Sequence, residues 1–233
     1  MSRRRSPKSK RRTWRRPRIG REVVMDASSS MRDPAQLSRR CAACSPQPSR
    51  GRTCPRGLRR TIDTPRLRLR PGRSSDSPDI ISALNDWSVA QWVTSPPFPY
   101  REKDAREFLG KSRRSSGEII YIVADRFSDR LLGVVTLEPQ REWAELGYWL
   151  SPRAQHKGVM REAVSAVLQE SFLCPAGPKM VYAIVDPLNT RSQAVLRSTG
   201  FDWAWVERRA RPSRRGSVLA HRYEKIGMLG GIS

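Results

Sequence analysis

Beyond residue 60 the apolar residues of this chain switch repeatedly between two spacings, every second position and every third or fourth. Segment 64–71 sets Leu67 and Leu69 between arginines, the alternation of a half-buried strand. Segment 79–87 puts Ile80, Ile81, Leu84 and Trp87 on one side of a short helix, and 101–113 carries Ala105, Phe108 and Leu109 on a charged one. Between them lies a stiff, proline-rich loop, 95–100. Three strands follow, 118–125, 130–138 and 143–150, with a hairpin-type turn at 128–130. The third alternates Ala144, Leu146, Tyr148 and Leu150 against Trp143, Glu145, Gly147 and Trp149. Helical spacing returns at Val159, Ala163, Ala166, Val167 and Phe172, until Pro175, Gly177 and Pro178 stop it. An apolar run at 180–185 has buried-strand length. Segment 189–198 reads as a helix with Asn189 as its cap and Gly200 as its left-handed stop. Strands 201–209 and 217–226 flank a basic turn at 211–216.

The first 60 residues break this rhythm. They hold 19 Lys and Arg against 3 Asp and Glu, a balance of +16, while residues 61–233 hold 26 against 19, a balance of +7. Most of the net +23 therefore belongs to the N-terminal segment. With so few apolar residues it cannot offset its ordering entropy, so 1–60 is expected to be a disordered Arg/Ser/Pro-rich tail. Such a tail could grip nucleic-acid phosphates. It could equally be translated upstream sequence, with Met25 and Met31 as alternative starts, or an organelle transit segment. Cys41, Cys44 and Cys54 lie in it and Cys174 lies far away; Cys41-Ala-Ala-Cys44 lacks the second ligand pair a zinc site needs, so no metal is expected. No disulfide framework is visible, which fits a reducing, cytoplasmic setting, and no apolar run reaches the length of a membrane span.

Candidate chemistry concentrates at Gln155-His156-Lys157-Gly158-Val159-Met160-Arg161, between strand 143–150 and the next helix. A basic, glycine-bearing turn that opens a helix offers unpaired N–H groups and the positive end of the helix dipole to a phosphate. Asn189-Thr190-Arg191-Ser192, then Leu196 and Gly200-Phe201, follow one helix and one strand later. Together these segments resemble the GNAT acetyltransferases, whose turn reads Q/R-x-x-G-x-G/A. Met160 departs from that wording but matches the RimJ/RimL-like branch, which acetylates N-termini of ribosomal proteins; His156 departs even from the branch, which prefers glycine there. Segment 64–71 also resembles that branch's opening words.

The resemblance spans about 61–228, leaving 1–60 and 229–233 as tails. It implies a GNAT fold of the α/β (α+β) class, with a mixed, mostly antiparallel central sheet flanked by helices. It implies acetyl-CoA as co-substrate and a primary amine as acceptor, a protein N-terminus or a small molecule such as an aminoglycoside. An RNA- or ribosome-associated protein that keeps the scaffold without turnover is the alternative. Gln155, His156, Lys157, Gly158, Val159, Met160 and Arg161 would hold the pyrophosphate. The backbone of Tyr148, Trp149 and Leu150 would pair with the pantetheine arm and supply oxyanion donors, and Asn189 would touch the arm. Glu145, an acid within an apolar strand, is the candidate base, its pKa raised by burial among Trp143, Tyr148 and Trp149. The family's acidic tyrosine is replaced by Leu196, so Ser192, one turn earlier, is the candidate acid. Trp87, Trp92, Phe98 and Tyr100 are expected on the acceptor side.

Overall fold

The computed structural model describes residues 57–113, 117–140, 142–210 and 217–227. The expectations for the tail through Arg56, for Cys41, Cys44 and Cys54, for the turn at 211–216 and for residues 229–233 lie outside that set. The elements are β1 (Ile62–Asp63), β2 (Leu67–Arg70), α1 (Ser77–Asn85), α2 (Trp87–Ala90), α3 (Glu102–Arg113), β3 (Ile119–Asp125), β4 (Leu131–Pro139), β5 (Trp143–Leu150), α4 (Val159–Leu173), β6 (Met180–Val185), α5 (Thr190–Ser198), β7 (Asp202–Ala210) and β8 (Ser217–Ile226). The strands form one sheet in the order β1-β2-β3-β4-β5-β6-β8-β7. Every pairing is antiparallel except β5 with β6, so the sheet is mixed and mostly antiparallel, as expected.

Strand alternation divides the core into two layers. On one face Leu67, Leu69, Val135, Leu146, Val181 and Tyr223 pack against Val159, Ala163, Val164 and Val167 of α4 and Leu196 of α5. On the other, Ile120, Ile122, Leu131 and Val134 meet Ile80, Leu84, Ala105 and Leu109 of α1 and α3. The helix predicted over 79–87 is two helices. Asp86 is extended and accepts from the Ser88 amide and hydroxyl, which restarts the chain as α2. Asn85 holds the following loop by bonding both the carbonyl and the amide of Tyr100, which is itself buried.

Two features were not visible in the pattern. Leu58 is 1% exposed and Tyr121 donates to the Arg59 carbonyl, so packing begins before residue 61. Arg70, on the outward side of a nominally half-buried strand, is 3% exposed. Its guanidinium bonds both oxygens of Asp76 at 2.9 Å and Asp129 at 2.8 Å, carboxylates brought in by the turns after β2 and β3. Burial alone would lower the Arg70 pKa, but these carboxylates raise it, so the charge is kept inside the fold. Among the described residues no His, Cys, Asp and Glu cluster could hold a metal, and no helix is long and apolar enough to cross a membrane.

Candidate active site

The site is built where β5 and β6 part. Their parallel register covers Trp143↔Met180, Ala144↔Val181 and Glu145↔Tyr182, then stops. Beyond it β5 runs on to Leu150 paired only with β4. The Ser151 amide donates to the Leu132 carbonyl at 2.9 Å, so Trp149 and Gly147 also turn their backbone groups toward β4. The C=O of Leu146 and the N–H and C=O groups of Tyr148 and Leu150 therefore face the opening, the Leu146 N–H being used in the last bridge to Tyr182. This is an edge inside a sheet, ready to accept an extended arm.

The turn predicted for phosphate lies just past the end of β5. A single 3₁₀ turn, Pro152–Ala154, leads into Gln155. His156 (φ 61°) and Gly158 (φ 71°) are both left-handed, and Gly158 is the N-cap of α4. Glycine adopts this region freely, while a residue with Cβ loses about 1 kcal/mol there. At the His156 position the histidine therefore bears strain that a glycine would not. Val159 and Met160 are buried in the main core, so they have only backbone to offer a ligand, whereas His156, Lys157 and Arg161 are exposed.

Arg66, which the sequence did not single out, straps this turn to the start of β2. It donates to the Lys157 carbonyl at 2.9 Å and to Glu162 at 2.6 Å. A Cβ on Gly158 would lie 3.6 Å from its Nη2, so this guanidinium borders the candidate phosphate position. Burial would raise the Glu162 pKa, but hydrogen bonds from Thr64 and Arg66, with the charge of Arg66, hold it below the usual carboxylate range. Arg191, in the first turn of α5, donates to the Gln155 side chain at 3.0 Å, and Gln155 in turn donates to the Leu150 carbonyl at 3.4 Å. Arg66 and Arg191 thus join Lys157 and Arg161 around one turn. Only the folded topology, with β2 beside α4, reveals the first of them.

Asn189 caps α5, its side chain accepting from the Ser192 amide at 3.1 Å. The Ser192 hydroxyl lies 2.8 Å from that of Tyr148, which also donates to the Ser192 carbonyl at 3.1 Å. Burial raises the Tyr148 pKa, so the phenol stays protonated. This pair connects the helix directly to the open edge of β5. Leu196 is fully buried in the main core.

Glu145 occupies the opposite face, at the last paired position before the opening. Its surroundings are not the apolar pocket expected. Arg209 from β7 donates to both its oxygens, at 2.6 and 2.8 Å, and the Tyr182 hydroxyl donates at 2.8 Å. Tyr148 lies on the other side of the strand and Trp149 packs with the helical layer, so neither desolvates the carboxylate. Burial and then Glu145 raise the Tyr182 pKa. Arg222 is stacked between the Tyr182 ring at 3.8 Å and the Trp205 ring at 4.8 Å and reaches Glu224 at 2.8 Å. Of the four aromatics expected on the acceptor side, Trp87 and Phe98 meet edge to face and are exposed, Trp92 is half-buried, and Tyr100 belongs to the core.

Residues 66–202, more than half of the chain, match the family described as the acetyltransferase (GNAT) domain. The chain belongs to the GNAT acetyltransferases. It is 26% identical over 141 residues, 60% of this chain and 81% of the other, to the uncharacterized N-acetyltransferase YnaD of Bacillus subtilis (strain 168). A GNAT-family acetyltransferase from Bacillus anthracis superposes with a TM-score of 0.64 at 20% identity, covering 72% of this chain and 98% of that one. RimL, a ribosomal L7/L12 alpha-N-protein acetyltransferase solved with coenzyme A, gives 0.62 at 17%, covering 71% and 97%. A ribosomal-protein-S5-alanine acetyltransferase from Vibrio fischeri gives 0.58 at 18%, covering 72% and 97%. This GNAT chain is accordingly an acetyl-CoA-dependent acetyltransferase that acts on an amine. The open edge of β5 and the left-handed turn at α4 fit the extended arm and the pyrophosphate of that co-substrate.

Proposed function

We propose that this enzyme acetylates an α-amino group carried next to a carbonyl, as at a protein N-terminus. The observation that carries this reading is the Glu145–Arg209 pair at the mouth of the β5/β6 opening. Glu145 accepts from the amine. Arg209 has five N–H donors in a planar fork, and the recorded contacts use Nη2 on Glu145 and, more distantly, Nη1 on Glu207. Its remaining donors suit the carbonyl one carbon away from the amine. A polyamine or an aminoglycoside amine has no such carbonyl. The ribosomal-protein acetyltransferases among the structural neighbours support the same acceptor class.

In this reading the turn from Gln155 to Arg161 binds pyrophosphate through backbone N–H groups, with Lys157, Arg161, Arg66 and Arg191 supplying charge. The N–H groups of Tyr148 and Leu150 align the arm and donate to the thioester oxygen as charge develops on it. Glu145 takes the amine proton, directly or through a water. Ser192, held by Tyr148, returns a proton to the departing thiolate. Gly147, between Glu145 and Trp149 on the same face of β5, leaves room for the side chain of its cross-strand partner Thr136.

The test is an acceptor panel with labelled acetyl-CoA: short peptides with free N-termini, the same peptides N-blocked but bearing lysine, spermidine and an aminoglycoside. Transfer to the free N-termini alone is expected. Transfer to spermidine or to the aminoglycoside with peptides inert would refute the acceptor assignment while leaving acetyl transfer in place.

A further inference from the structure

A second charged site lies away from the acetyl-transfer seam. An open cleft of about 610 Å³ is lined by Arg59, Arg60, Thr61, Arg70, Pro71, Gly72, Arg73 and Arg113. It sits at the C-terminal end of β2, whereas Arg66 and the phosphate turn sit at the N-terminal end. Four residues of extended chain, about 13 Å, separate Arg66 from Arg70. The carboxylates facing it are Asp76 and Asp129, bound to Arg70 and Arg73, and Glu170, bound to the Arg59 amide. Five arginines against three carboxylates leave +2. The surplus can be located. Among the described residues neither Arg60 nor Arg113 has a carboxylate within ion-pair distance. Arg60 uses one of its five donors on the Arg113 carbonyl, which caps α3 and leaves the rest of the fork available. Arg59 and Arg73 are paired with Glu170 and Asp129 and add nothing to that surplus.

We infer that this cleft binds the phosphodiester backbone of a nucleic acid. Two independent observations converge. The first is the geometry: Arg60 and Arg113, which have no carboxylate partner among the described residues, line a concave surface, and a guanidinium fork matches phosphate oxygens in pairs. The second is the chain leading into it. Arg59 and Arg60 are the last residues of a 60-residue segment in which 17 of the 19 basic residues are arginine. The arginines of that segment recur in groups of one to three along its length, which suits a polymer of repeated phosphates better than one small anion.

The experiment uses the full chain and a fluorescein-labelled single-stranded oligouridylate. Affinity is measured across a salt series for the native protein and for Arg60→Gln/Arg113→Gln. Loss of two phosphate contacts should flatten the slope of log affinity against log salt by about 1.4, at about 0.7 per contact on single strands. Unchanged acetyl-CoA affinity in the double variant shows that the domain is intact. In parallel, arginine modification by phenylglyoxal is mapped by mass spectrometry with and without RNA, because the N-terminal segment could bind on its own. Protection of Arg60 and Arg113 is expected. An unchanged salt slope, or protection confined to residues before Gly57, overturns the proposal. Equal protection by polyglutamate, or protection by inorganic pyrophosphate at concentrations where RNA gives none, overturns the nucleic-acid assignment.

Discussion

Replacing Glu145 by Gln removes one negative charge and keeps the shape, which makes it the sharpest probe of the transfer step. The structure sets the expected size of each effect. Three hydrogen bonds reach the carboxylate, two from Arg209 and one from Tyr182, and a glutamine oxygen still accepts from either donor. The side chains of Glu145 and Arg209 are 24% and 40% exposed, so solvent screens the lost ion pair. Its contribution to stability is therefore no more than about 1 kcal/mol, small against a usual folding margin of about 5–15 kcal/mol. Loss of a general base, in contrast, costs about 10²–10⁴ in rate, or about 2.7–5.4 kcal/mol of barrier. The two quantities separate cleanly. Thermal unfolding and acetyl-CoA calorimetry of Glu145→Gln should match the native protein, because the phosphate turn lies beyond the end of β5. Steady-state turnover of a peptide acceptor should collapse at neutral pH. The deficit should shrink at high pH, where the amine is already neutral. A raised KM with unchanged kcat would make Glu145 an anchor for the ammonium rather than its base. Full activity at neutral pH would refute both roles and leave proximity and backbone donors to do the chemistry.

Gly158→Asp combines left-handed strain of about 1–2 kcal/mol with a like charge beside the phosphates, and should abolish measurable acetyl-CoA binding; Gly158→Ala, with room beside Arg66, should lose much less, and equal affinities of both with native protein would remove the turn as the site. Asp76→Ala strands the buried Arg70 charge and should destabilise the fold by about 3–5 kcal/mol, read as a fall in Tm; a change under about 1 kcal/mol would mean that Asp129 alone satisfies Arg70. Ser192→Ala should reduce kcat, and Tyr148→Phe should do so less, by freeing the serine to rotate; identical kcat in all three proteins would exclude Ser192 as the acid. Acid should loosen the β2–α4 strap. Glu162 has a folded pKa below its unfolded value, so its contribution is complete above the ordinary carboxylate range and is lost as pH falls through the depressed value; Glu162→Gln should flatten that limb of the stability–pH curve, and an unchanged limb would show that other carboxylates govern it.

Most of the fold was legible because turn residues bound short apolar segments of clear spacing, even where β3 and β4 bury both faces. Period-two spacing over β3 to β5 and helical spacing over α4 found those elements within a residue or two. The split of 79–87 at Asp86 is local, but Arg70 and Glu145 were misread for one cause: a partner supplied from far along the chain. Nothing local distinguishes Arg70 from Arg68, yet Asp129 and Asp76 bury the first while Asp63 pairs with an exposed second. Glu145 looked like an acid among apolar neighbours because Arg209 lies 64 residues away, in a strand that reaches it only through the β6–β8–β7 order. The phosphate turn was readable because its chemistry is local: strand end, left-handed residue, helix start. The cap at Asn189 was readable for the same reason, and the Tyr148–Ser192 contact was not.

Leu196 fills a position that a larger side chain could not take without disturbing the core. The family's tyrosine acid would have to return at a position with no exposed surface, in the centre of the layer between α5 and the sheet. A phenol there is larger than the leucine it would replace. Overpacking of this kind costs about 1–3 kcal/mol unless neighbours shrink in compensation. A proton donor for the departing thiolate is therefore placed at less cost around the open edge of β5 than at position 196.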